Sequence, residues 1–459
     1  MNTRPTWTSR LTYVLAVAGA TVGFGATWRF PYLVGQNGGG AYVVTFVVAM
    51  IVIGIPMLLV ENAIGRRLHI NSVDAFSGFD HRGRLISAAW KIVGYSGLVG
   101  AFGIMAYYMV IGGWVLDYIY NILAGNLNLS SVVSAETTAA FYEENINNSP
   151  LAITITTLIF VAINYFILVR GAVAGIERAA KYLMPLLFLL MLGMVVRNLT
   201  LEGAWEGTVY YLTPDFGKIN AKLFIDVLGQ VFFALSLGFG VIITLSSFVR
   251  KTEGLVATSV VTGVLNTVIA VVAGFMIFPS LFTFGIEPGS GPSLVFKSLP
   301  IVFSHMFAGS FVAAAFFSLL MIAALTTSLP IYEVIITVLE EKFGMTRKKA
   351  ILLTLGAIFI LGNLPSLLAT NVLAGVTIFG KNIFDAYDAI SATIFFVLTS
   401  LLCAIFVGWV LGDEAKKEVL VGSEKYGKIV DIWFIYIKYV IPFIILVVFV
   451  SSFYDNFIK

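Results

Sequence analysis

Apolar runs of about 20 residues recur along the chain between short polar connections, and that pattern predicts roughly eleven membrane-spanning helices. The runs are centred near residues 22, 54, 105, 159, 187, 237, 268, 325, 359, 397 and 443. Two of them break their own pattern. In Val14–Pro31 the glycines Gly19, Gly23 and Gly25 precede Trp28-Arg29-Phe30-Pro31. Each interior glycine costs about 1 kcal/mol of helix stability relative to alanine, so a continuous helix is not expected here. Backbone groups freed in a bilayer are tolerated where they line a polar cavity. Gly19-x-x-x-Gly23 also fits a small-residue face for close helix packing. A second copy favours the break: Leu237-Gly-Phe-Gly240 echoes Val22-Gly-Phe-Gly25. Paired glycine-interrupted spans in the two halves of a chain point to a secondary transporter's binding site.

The connections carry the topology. Arg66, Arg67, Arg82, Arg84 and Lys91 follow the second span, Arg170, Arg178 and Lys181 the fourth, and Arg250 and Lys251 the sixth. Lys342, Arg347, Lys348 and Lys349 follow the eighth span, and Lys416, Lys417, Lys425 and Lys428 the tenth. The opposite connection, 124–149, holds Glu136, Glu143 and Glu144 and no lysine or arginine. The positive-inside rule then places the N-terminus in the cytoplasm, and eleven spans place the C-terminus outside. The segment 284–310, with Pro288, Pro292 and Pro300, reads as a long outer loop. Residues 1–200 and 201–412 each hold five spans beginning with a broken one, as an inverted repeat requires. Residues 413–459 add a cytoplasmic loop and one extra helix.

Composition agrees. Of 459 residues, 59% are hydrophobic and 12% charged; the mean hydropathy is +0.95. These values exclude a soluble globule and give an all-α polytopic membrane protein, expected in the cell membrane. Arg4 and Arg10 lead into a span too long for a secretory signal. Cys403 stands alone, so no intrachain disulfide forms. The three histidines are far apart, with no HExxH or GxSxG, and no enzyme is expected. Expected partners are a small-molecule substrate and the lipid bilayer, and no nucleic acid; monomer and homodimer both fit.

Several motifs together resemble the neurotransmitter:sodium symporter family in its prokaryotic amino-acid branch. They are Trp28-Arg-Phe-Pro-Tyr32, Gln36-Asn-Gly-Gly-Gly-Ala41, Gly54-Ile-Pro56 with Glu61 and Gly65-Arg66, and Gly175-Ile-Glu-Arg178. Gln230-Val-Phe-Phe233, Ser236-Leu-Gly-Phe-Gly240 and Leu325-Thr-Thr-Ser328 complete the set over nearly the whole chain. The resemblance implies discontinuous first and sixth helices in a five-plus-five inverted repeat.

It also implies a sodium site of Gly19, Val22 and Ala323 carbonyls with Thr326 and Thr327 hydroxyls. Five neutral oxygens suit a hard cation, although a Thr-Thr pair in an apolar helix is ordinarily bonded to its own backbone. Ala20, Thr21, Phe24, Gly25, Ile104, Tyr108, Phe233, Ser236, Phe239, Thr327 and Ile331 would hold the substrate. Its carboxylate would rest on the half-helix amides at Gly25 and on the Tyr108 hydroxyl. Amine-carrying relatives have aspartate where this chain has Gly23. Arg29 with Asp388, under the lid Phe233, would form the outer gate, and Arg4 with Glu341, anchored by Trp7, the inner one. Glu61 and Glu333 would be buried acids hydrogen-bonded near the first break, a proton relay being the alternative role.

The pattern departs at one place. The family's second sodium site uses an asparagine where Ala26 stands and a threonine where Ala234 stands, and keeps only Asn266. The anion position has Phe46 and Ala270, with Thr267 beside it. The expectation is a sodium-coupled symporter of a neutral, hydrophobic or aromatic amino acid, with one sodium per cycle and no chloride. A carboxylate-free substrate such as an aromatic amine is the alternative, and a transport-inactive ligand sensor is the reading from another class.

Overall fold

The computed structural model describes residues 5–286, 294–369 and 371–458. Among these residues regular structure is almost wholly helical, with one short hairpin pairing Thr377–Ile378 to Lys381–Asn382. Among the described residues eight helices are long and apolar enough to cross a membrane, and the bent pair Arg10–Thr21 and Gly25–Gln36 makes a ninth by the same standard. The chain is an all-α polytopic membrane protein. Ala221–Ala234, Val241–Ser246 and Arg347–Ala369 lie where the sequence predicts the sixth and ninth spans.

Both predicted breaks exist, and they differ in origin. At the first, Ser9 caps the inner piece through the Thr12 amide, the helix runs to Thr21, and the outer piece leaves at 66°. The glycine need there is space. A Cβ on Gly23 would run into the Thr327 and Tyr108 hydroxyls. At the second break the need is conformation. Ser236, Gly238 and Gly240 all have positive φ, at 51°, 80° and 76°. Left-handed backbone is strained for residues with a Cβ, so glycine supplies two of the three turns.

The breaks are held by long helices. Lys91–Leu123 and Gly309–Phe343 pack along one another, and Pro150–Leu168 closes on the first of them. The inner piece Arg10–Thr21 lies against Gly309–Phe343 and Leu255–Phe275. The predicted outer loop is corrected in part. Leu294–Ser304 is helical, and its Leu294, Val295, Phe296 and Leu299 are buried. Pro300 does not break it: it opens the α-helical part, and the Phe296 carbonyl four residues back accepts from the Tyr118 hydroxyl at 2.7 Å instead. Pro288 and Pro292 lie outside the described residues.

Candidate functional site

Between the two breaks lies a tight pocket of about 20 Å³. Ala20, Thr21, Gly23, Phe24 and Gly25 of the first break form one wall. Phe233, Ser236 and Phe239 of the second face them, with Ile104, Tyr108, Thr327 and Ile331 from the long helices. Every residue named for the substrate on resemblance is in this wall. Gly23 is the one lining residue that the substrate set leaves out. None of the twelve carries a charge. The Ser236 hydroxyl donates to the Ala20 carbonyl at 3.0 Å and so ties break to break. The Tyr108 hydroxyl is buried beside Thr327 and the Phe24 backbone without a well-formed hydrogen bond. A buried hydroxyl left so is poised to bond a ligand. Phe233 rests on Gly25, where a Cβ would come within 2.7 Å of its ring.

Beneath the pocket, four of the residues named for sodium meet, Gly19, Ala323, Thr326 and Thr327, and Val22 is buried at the end of the inner piece. The Thr327 hydroxyl donates to the Gly19 carbonyl at 2.9 Å, across from one helix to the other. Thr326 bonds its own helix, donating to Ile322 at 3.0 Å and Ala323 at 3.1 Å. Gly19 sits against Thr326 closely enough that a Cβ would come within 3.2 Å of the Thr326 Cβ. The back-bonded geometry thus describes Thr326, and Thr327 departs from it. Both residues are buried, and their hydroxyls bond the Gly19 and Ala323 carbonyls that a cation would take over, so the donor set fits a small hard ion.

A few residues away the second position looks different. Asn266 turns its amide nitrogen onto two carbonyls, Ala234 at 3.0 Å and Thr21 at 3.4 Å. Its Oδ1 is buried without a partner. Ala26 and Ala234 are fully buried and bring no side-chain oxygen. At the anion position, Phe46 packs on Phe30 with ring centroids 4.7 Å apart, and Ala270 is fully buried. The Thr267 hydroxyl is bound to Gly263 of its own helix at 2.8 Å. Gln230, outside the expected site, donates to the Gly25 carbonyl at 2.8 Å and steadies the first break.

Above Phe233 a vestibule of about 310 Å³ opens, walled by Arg29, Tyr32, Tyr107, Ile111, Phe384 and Asp388 among others. Arg29 and Asp388 share this cavity without a direct ion pair. The Arg29 guanidinium lies 4.4 Å from the Phe233 ring centroid, and Asp388 accepts from the Tyr107 hydroxyl at 2.6 Å. Tyr107 is not among the residues expected for the gate; its neighbour Tyr108 lines both this vestibule and the pocket below. At the far end Trp7 is buried, and its Nε1 donates to the Leu245 carbonyl at 2.9 Å. Arg4 lies outside the described residues. Glu341 accepts from the Asn71 amide at 2.7 Å.

The two buried acids are corrected in place. Glu61 is not bonded at the first break; it accepts from the Gly238 amide at the second, at 2.7 Å. Glu333 meets Arg347, 2.8 Å away, and the same arginine donates to the Leu168 carbonyl at 2.9 Å. Arg347 thereby joins three helices, a role hidden in the sequence because it stands in a basic connection.

A neutral buried pocket between two broken helices, beside converging hydroxyls and carbonyls, defines a secondary transporter. The chain belongs to the sodium:neurotransmitter symporter family, which it matches over residues 4–154 and 142–457. It is 64% identical over 450 residues to a sodium-dependent transporter of Haemophilus influenzae, covering 98% of each chain. The sodium-dependent transporter YhdH of Bacillus subtilis is 34% identical over 446 residues, 97% of each chain. The crystal structure of MhsT in complex with L-phenylalanine superposes with a TM-score of 0.87 at 36% identity, over 98% of this chain and 100% of that one. The protein is a sodium-dependent symporter and a multi-pass membrane protein, not an enzyme.

Proposed function

We propose that this symporter carries a neutral amino acid with an apolar side chain, coupled to one sodium ion and independent of chloride. The observation that carries the reading is the uncharged central pocket. A free amine would bring a positive charge that no lining residue neutralises, which is costly at this depth. An amino acid brings its own carboxylate, and the half-helix start at Gly25 with the Tyr108 hydroxyl offers donors to it. An aspartate at Gly23 would collide with the Thr327 and Tyr108 hydroxyls, which disfavours the amine alternative. Phe24, Ile104, Phe239 and Ile331 would take the side chain, and similarity to MhsT, solved with L-phenylalanine, supports this class. At about 20 Å³ the pocket holds one or two waters, so admission requires Phe233 to swing toward the vestibule.

Sodium would sit among the Gly19, Val22 and Ala323 carbonyls and the Thr326 and Thr327 hydroxyls. The second cation is dispensable on this reading because Ala26 and Ala234 bring no side-chain oxygen and the Asn266 amide nitrogen already bonds the Ala234 and Thr21 carbonyls. Arg29 and Asp388 would close the vestibule once Phe233 covers the substrate, with the N-terminus and its Trp7 anchor on the cytoplasmic face. The test is uptake of a panel of labelled amino acids into proteoliposomes under an imposed sodium gradient. Uptake of neutral apolar amino acids and none of aromatic amines is expected. Sodium-driven uptake of tyramine or tryptamine alone would overturn the substrate class.

A further inference from the structure

Beyond the transport site, the connection between Gly40–Leu68 and Ala88–Leu123 builds a feature of its own. Residues 79–85 form a tight turn closed by a Phe79–Leu85 bridge. Asp80 organises it: Oδ1 accepts the Arg82 and Arg84 amides, each at 2.8 Å, and Oδ2 meets the Arg84 guanidinium at 3.1 Å. The backbone amide of Arg84, then that of Arg82, holds the Asp80 carboxyl below the usual carboxylate range, so the turn keeps its charge. Arg84 is thereby occupied, and Arg82 is not. Among the described residues Arg82 has no acidic partner; its Nε donates to His81 Nε2 at 3.2 Å. His81 Nδ1 in turn lies 3.1 Å from the Val410 carbonyl. That chain of bonds requires a neutral imidazole, with Nδ1 donating and Nε2 accepting, and it fixes where the guanidinium points.

The turn borders an open groove of about 450 Å³ lined by Arg82, Arg84, Ser87, Trp90 and Trp409 among others. At its rim the Lys438 ammonium lies 4.7 Å from the Trp409 ring centroid. Apolar side chains flank it in the open: Phe79 is 63% exposed, Leu85 76% and Trp409 52%. Trp409 belongs to the last turn of the spanning helix Ile383–Leu411, so the groove lies level with the ends of the spans. Tryptophan concentrates at that level, and basic pockets beside it select anionic lipid headgroups.

We propose that this groove binds the phosphate of an anionic phospholipid, with Arg82 and Lys438 on the headgroup and Phe79, Leu85 and Trp409 against its acyl chains. A free phosphate shares the headgroup chemistry and lacks the chains, which separates the two sources.

The full-length protein in neutral detergent would be titrated with dihexanoyl phosphatidylglycerol, dihexanoyl phosphatidylcholine and inorganic phosphate, reading the melting temperature. A specific ligand raises it by mass action. Phosphatidylglycerol is expected to give a clear upward shift and the other two none. Arg82→Gln with Lys438→Gln should lose most of that shift; Lys348→Gln with Lys349→Gln, equal in charge change, should keep it. A shift of the same size with inorganic phosphate, retention in the first double variant, or equal loss in both would overturn the proposal. Should the first variant fail to fold, quenching by brominated phosphatidylglycerol replaces it. That quenching should fall in Trp409→Phe and exceed quenching by brominated phosphatidylcholine; no difference on either count overturns it as well.

Discussion

The two positions proposed for cations beside the pocket share the first broken helix, one with Gly309–Phe343 and the other with the second break and Leu255–Phe275, yet they have opposite chemistry. At one, two buried hydroxyls reach carbonyls of their own and a neighbouring helix, and the Thr327 hydroxyl crosses to Gly19. At the other, two alanines surround an asparagine whose amide nitrogen is already shared between the Ala234 and Thr21 carbonyls. An amide N–H and a sodium ion answer the same need, an electropositive partner for carbonyl oxygens that helix breakage has freed. The N–H cannot leave, so on the proposed one-sodium reading it takes the place of a coupling ion at the Ala234 and Thr21 carbonyls. A hydroxyl pair can release its bonds to an arriving cation and take them back when it departs.

The largest effect that would test this contrast is loss of the hydroxyls. Thr326→Ala with Thr327→Ala should weaken apparent sodium affinity by roughly 100-fold or more, since two interactions of about 1.5–3 kcal/mol are removed. Sodium titration of substrate binding by scintillation proximity reads it directly, and wild-type affinity in the double variant would remove the ion from this position.

Rebuilding the second position is the sharper experiment. Ala26→Asn with Ala234→Thr returns two side-chain oxygens beside Asn266, and the Hill coefficient for sodium should rise from about 1 toward about 2. A wild-type coefficient already near 2 would break the comparison at its root. A smaller change is expected from Asn266→Leu. It strands two buried carbonyls and should lower stability by about 1–3 kcal/mol in chemical denaturation, with the sodium Hill coefficient unchanged. A changed coefficient there would mean that the amide serves an ion and not the backbone. The least effect is expected from the anion: replacing chloride by gluconate should leave uptake as it was, because Phe46 and Ala270 provide no donor.

The outer and inner ends differ in the same spirit. The vestibule end is held apart, with Arg29 over Phe233 and Asp388 on Tyr107, while the Trp7 end is stitched to Leu245. In Asp388→Asn, uptake should fall several-fold while equilibrium substrate binding stays close to wild type. Equal loss of both would make Asp388 part of the binding site instead of a gate.

By itself the sequence determined most of the elements, the helix Leu294–Ser304 excepted. Apolar run length sets the spans, and clustered glycines set the breaks, because helix propensity and the bilayer's intolerance of bare backbone act locally. It also set which side-chain oxygens are missing, since Ala26 and Ala234 have none in any fold. Pairings were decided elsewhere. Glu61 serves Gly238, Glu333 serves Arg347, and Asn266 bridges Thr21 and Ala234, each joining residues distant in the chain or on separate helices. Which buried group finds which partner depends on the rotation and depth of whole helices, fixed by packing of side chains over their full length. The same holds for the groove at Trp409, whose arginine is one more basic loop residue until His81 and Val410 orient it. Periodicity carries the existence of a helix, and only the packed structure carries its neighbours.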